Sequence, residues 1–162
     1  MRSGNAAGQR PASGGFTLVG LLIALGALSM AAASAGPLWL ENQQREREAE
    51  LLRIGSLYAR ALESYRAASP GSERRDPRSL DELLLDTRFV GTRRHLRRLY
   101  TDPVRPGRPW EPVLDAQGGI RGVRSASEAR PWTRTPVALP GGARLPAAGR
   151  YRDWLFIATE TP

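Results

Sequence analysis

The apolar residues of this chain are gathered at one end. From Phe16 to Leu40 run 25 residues, FTLVGLLIALGALSMAAASAGPLWL, without one charged side chain. At about 1.5 Å per residue a helix of that length exceeds the roughly 30 Å hydrocarbon core of a bilayer, so the run is long enough to span one. The fifteen residues before it, MRSGNAAGQRPASGG, are polar and carry Arg2 and Arg10 with no acid, whereas Glu41, Arg45, Glu46, Arg47 and Glu48 after it are mixed in sign. The positive-inside rule then keeps the leader in the cytoplasm and exports everything beyond Leu40.

Beyond the run the pattern changes without a break. Leu51, Ile54, Tyr58, Leu62 and Tyr65 recur at steps of three and four, which predicts one apolar stripe on a helix, and most charged residues fall away from it. Glu50 with Arg53 and Glu63 with Arg66 make opposite-sign pairs three apart. Only Pro37 interrupts the helical pattern between Phe16 and about Ser69, where Ser69-Pro70-Gly71 stops it. The predicted element is about 54 residues and roughly 80 Å long.

The remainder reads as one small domain with short elements. Ser79 is an N-cap, with Asp81 and Glu82 in the first turn of a short helix over Leu80 to Leu85. Thr92 to Tyr100, TRRHLRRLY, is a second short helix ended by Thr101-Asp102-Pro103. Eight prolines and seven glycines between Thr101 and Arg150 predict turns and short strands. Trp110 to Leu114 and Ile120 to Arg124, around the loop Asp115 to Gly119, predict a β-hairpin, and Tyr151 to Ala158 a third strand.

Composition removes most chemistry. The chain has no cysteine and one histidine, and its 24 basic residues are all arginine. Disulfides, cysteine-bound zinc, Schiff bases and a phosphate-loop lysine are excluded, and no nucleophile, base and orienter can be assembled, so neither an enzyme nor a cofactor is expected. Seven arginines lie between Arg88 and Arg108 against one acid, Asp102. On the expected helix Arg93, Arg94, Arg97 and Arg98 make a basic face, open to phosphates, anionic headgroups or acidic neighbours, or simply solvated. His95 is expected on the surface of that helix, and Trp110, Trp132 and Trp154 in packing.

Gly14-Gly15-Phe16-Thr17-Leu18-Val19, followed by an apolar run with Pro37 towards its end, resembles the class III signal of type IV pilins and type II secretion pseudopilins. A second stretch, LRRLYTDP, then a tryptophan and GGIRGVRSAS, resembles the C-terminal half of proteins similar to the major pseudopilin. The resemblance implies an α+β, pilin-like fold in which a long N-terminal helix, membrane-spanning in its first half, packs on a small antiparallel sheet with short helices. It implies a leader over 1–15, a membrane and filament-core helix over 16–40, an amphipathic continuation over 41–69 and a periplasmic domain over 70–162. A prepilin peptidase would cut between Gly15 and Phe16 and methylate the new amine of Phe16, and Gly36-Pro37 would match the helix-bending proline of pilins.

The implied partners are other pilins or pseudopilins in a filament, the prepilin peptidase, an inner-membrane assembly platform and the lipid bilayer, with nucleic acid as a further partner if the subunit serves DNA uptake. Most members carry glutamate at the position of Gly20; a tip-located minor pseudopilin also lacks it. Major pseudopilins often bind calcium through an acidic C-terminal loop, but the last forty residues here hold only Glu128, Asp153 and Glu160, so no metal is expected. A different reading stays open: Ala33-Ser34-Ala35 has the form of a secretory cleavage site, which would release a periplasmic binding domain starting at Gly36.

Overall fold

The computed structural model describes residues 14–70, 74–140 and 142–159; the side chains of 14–16 and 31–38 lie outside that description. So do the leader up to residue 13, Gly71 of the expected helix stop, Glu160, and the side chains around the alternative cut at Ala35 and around Gly36-Pro37. The architecture is α+β. One α-helix, α1 (Gly14–Ala67), is 54 residues long and is followed by short elements. The chain divides into two compact units, Met1–Asn42 and Gln43–Pro162.

In the second unit α1 buries the predicted stripe: Leu51, Ile54, Tyr58, Leu62 and Tyr65 are each at most 4% exposed. They share one core with Trp110, Val123, Tyr151, Trp154 and Phe156. Strands β1 (Glu111–Leu114), β2 (Ile120–Arg124) and β5 (Phe156–Ile157) form an antiparallel sheet in the order β1-β2-β5, and β3 (Val137–Ala138) pairs with β4 (Arg144–Leu145). The hairpin is the one its sequence predicts. Asp115 closes its loop by accepting from the amides of Gln117 and Gly119 at 2.8 and 2.7 Å, and Gly118 takes φ +81°, which a side chain would strain. Helix and sheet touch most closely where Gly55 faces Phe156; a Cβ there would fall within the ring.

The cap at Ser79 is also present. Its hydroxyl accepts from the Asp81 amide at 3.2 Å and Glu82 reaches back to the Ser79 amide at 3.3 Å, but the element is one 3-10 turn, Leu80–Leu83.

Four expectations are corrected. Thr92 to Tyr100 is not a helix: the amides of His95 and Leu96 both donate to Leu83 O, at 2.8 and 2.9 Å, and Asp86 N donates to Arg93 O. Pairing with another segment takes the hydrogen bonds an isolated helix would have kept. His95 is not on the surface, since its side chain is 1% exposed. Tyr151 to Ala158 opens as a 3-10 turn, Tyr151–Asp153, because Asp153 accepts from the Arg150 amide, and only Phe156–Ile157 is strand. Trp110 and Trp154 are core residues, but Trp132 is 37% exposed.

Candidate functional site

The first unit carries the segment that the sequence singles out. Gly14, Gly15 and Phe16 are helical at the first described positions of α1, which continues through Thr17, Leu18, Val19 and Gly20. The helix also runs through Gly36 and Pro37. From position 17 to 30 every residue is exposed, and Leu18, Val19, Leu21, Leu22, Ile23, Leu25, Leu28 and Met30 are 50–79% accessible. At about 100° per residue these eight spread around the helix, leaving one strip to Gly20, Ala24 and Ala27. The hydroxyl of Ser29 donates to Leu25 O at 2.8 Å, so this polar group is satisfied within the helix. A Cβ on Gly20 would meet nothing within 4 Å. Among the described residues no helix is long and apolar enough to cross a membrane.

The predicted basic face is divided by the structure. Arg93, Arg94, Arg97 and Arg98 are all exposed but stand on irregular chain. Two rest on rings, Arg93 over Phe89 at 4.8 Å and Arg98 over Tyr100 at 4.9 Å. Arg88 is half-buried, over the buried Asp86. Its guanidinium grips Asp86 at 2.8 and 2.7 Å, donates to Tyr65 O and Ser69 Oγ at 2.9 Å each, and lies 3.6 Å from the centre of the Tyr65 ring. Asp86 also meets His95 Nε2 at 3.2 Å, and His95 Nδ1 meets Ser64 Oγ at 2.9 Å. Hydrogen bonds from Arg88 hold the Asp86 carboxyl well below the usual carboxylate range. Burial, with the Glu82 carboxylate at its hydroxyl, pushes Tyr65 up.

Two acids organise the loops of the domain. Asp102, fully buried, accepts from Val104 N at 2.9 Å and from Ser125 Oγ at 2.5 Å, which ties the Asp-Pro turn to the end of β2. Glu48 accepts from the amides of Trp132 and Thr133 at 2.6 and 3.0 Å and from the Tyr151 hydroxyl at 2.9 Å. Glu48 was legible: it stands three residues before Leu51 on the same apolar stripe. A carboxylate there signals a buried acid with dedicated donors. Trp132 carried no such signal.

Among the described residues no group of three or more His, Asp or Glu is placed to hold a metal ion. No protein-family model, curated protein or solved structure matches the chain.

Proposed function

We propose that the protein is a pilin-like subunit of a type II secretion filament or a related type IV pilus-like filament, held in the inner membrane until it is extracted. The observation that carries this reading is that Gly14-Gly15-Phe16-Thr17-Leu18 leads directly into a helix whose large apolar side chains are exposed over more than half of its circumference. In water such a surface is unfavourable by about 25 cal/mol per Å² of apolar area, and lipid or like helices remove that cost. Small residues such as Gly20, Ala24 and Ala27 let helices approach closely in lipid, where association depends on packing. The domain from Gln43 onward, with its own core, is the part that stays in water.

The mechanism is mechanical. A peptidase removes the leader after Gly15, the apolar helix stays uncut, and an assembly platform and its motor lift the subunit into a filament of like helices. Lipid already satisfies the helix, so the lifting requires external work. N-terminal sequencing and intact mass of the membrane-borne protein test the proposal. The expected mature start is Phe16, with or without a methyl group, and Gly15→Leu leaves an uncut precursor. A start at Gly36 would replace this reading with a released periplasmic domain, and normal maturation of Gly15→Leu would sink the peptidase step.

A further inference from the structure

The loop over 130–134 is held by two side chains of α1. Gln44 Nε2 donates to Arg130 O at 3.1 Å, and Glu48, one turn further along α1, takes the amides of Trp132 and Thr133. Two points four residues apart on a helix thus fix the loop's backbone, with Pro131 buried between them. What this rigid backbone displays is an exposed indole and cations. The Arg45 guanidinium lies over the Trp132 ring at 4.4 Å, and Arg47, Arg130 and Arg134 are exposed beside it in sequence or on the loop. An open groove of about 660 Å³ is lined by Arg130, Arg134 and Arg150 with Glu128 and Asp153. Both acids are engaged, Glu128 with Arg150 and Arg152 and Asp153 with the Arg150 amide. Glu41 and Glu46 are the exposed acids on this stretch of helix, and the part-exposed Glu50 is paired with Arg53.

Position along the chain says what this surface meets. Gln44 follows Leu40, the last residue of the apolar run, by four residues, or about 6 Å of helical rise. That is roughly the depth of one headgroup layer, since a bilayer of about 40–45 Å holds a core of about 30 Å. Tryptophan and arginine are the residues that settle at that depth, the ring at the apolar boundary and the cation on phosphate. Of the segment 93–98, His95 lies beside Ser64 and Tyr65, some twenty residues further up the helix, while Arg98 lines a pocket with Glu50 and Ile54, further from the apolar run than Gln44 and Arg45.

We infer that loop 130–134, together with Arg45 and Arg47, docks on anionic phospholipid headgroups and seats the domain on the membrane surface before extraction. This rests on the membrane-subunit reading above.

The test uses the full chain carrying Trp39→Phe, so that Trp132 is the accessible tryptophan beside the buried Trp110 and Trp154. The protein is reconstituted into phosphatidylcholine vesicles with or without phosphatidylglycerol, each doped with a lipid bearing a nitroxide on its headgroup. Trp132 emission is expected to be quenched in the anionic vesicles, and much less in the neutral ones. Adding Trp132→Phe should abolish the quenching, and Arg130→Gln with Arg134→Gln should bring it down to the neutral-vesicle level. Quenching that is absent, or equal in both vesicles, overturns the docking surface while leaving the membrane subunit standing. Failure of the chain to float with vesicles of either kind overturns both.

Discussion

Helix α1 is one element of secondary structure with two kinds of surface. Between positions 18 and 30 its leucines, isoleucine and methionine are at least half exposed and cover more than half of the helix circumference. From Leu51 to Tyr65 the stripe of Leu51, Ile54, Tyr58, Leu62 and Tyr65 is at most 4% exposed, Leu52 and Leu57 are partly buried against the same core, and Arg53 and Arg60 face out. The difference teaches where helix stability comes from. In the second region the stripe is covered by the chain's own sheet, which supplies the tertiary support most helices in proteins need. In the first, among the described residues, nothing covers it.

Substitutions can break that contrast, the most severe being at Asp86. Asp86→Asn removes the buried charge that the half-buried Arg88 grips, at an expected cost of up to about 3 to 5 kcal/mol near neutral pH. The sign with pH is fixed by the depressed carboxyl. Its contribution is complete above the ordinary aspartate value of about 3.9 and drains away as pH falls from there toward the lower folded value. Urea unfolding of full-length protein in detergent, followed by tryptophan emission, should therefore show a gap between wild type and variant that narrows in acid. A gap constant from neutral pH to pH about 3 would refute the ion pair.

Next come Leu51→Ala and Leu62→Ala, each expected to cost about 2–5 kcal/mol in the same assay. Leu22→Ala should leave the midpoint within about 0.5 kcal/mol. Equal losses at Leu22 and Leu62 would erase the distinction between the two regions. Gly55→Ala, forced against Phe156, should cost about 1–3 kcal/mol, whereas Gly20→Ala, with open space around it, should cost none. The smallest effect is at Glu50 and Arg53, 2.6 Å apart and about half exposed. Breaking that pair by Arg53→Gln should cost less than any of the core changes, and the loss should vanish in high salt.

The same contrast governs how much could be read beforehand. Local signals held: the stripe from Leu51 to Tyr65 marked α1, Ser79 with Glu82 marked a cap, and Asp115 to Gly119 marked a hairpin loop. Each of these is decided within a few residues. The expected helix at Thr92 to Tyr100 failed because its amides are taken by Leu83, a residue outside the segment. His95 was misplaced with it, since its burial depends on Asp86 and Ser64. The strand expected from Tyr151 shortened because Tyr151 turns its hydroxyl to Glu48 and Trp154 donates its indole N–H to Pro146 O at 3.1 Å. Of the candidate site, the apolar run was fully legible, while Trp132 became visible only through the Glu48 and Arg45 contacts that fix its loop.

Glu48 also imposes an order of events on folding. Its donors lie 84, 85 and 103 residues further along the chain, at Trp132, Thr133 and Tyr151. A ribosome makes the helix first, so for most of synthesis its carboxylate has no partner. Closing so long a loop is slow, because the entropy of bringing distant segments together must be spent before the contact forms. Until Trp132 and Thr133 have emerged this turn of the helix must keep water at its side, and the clasp is complete only once Tyr151 adds its hydroxyl.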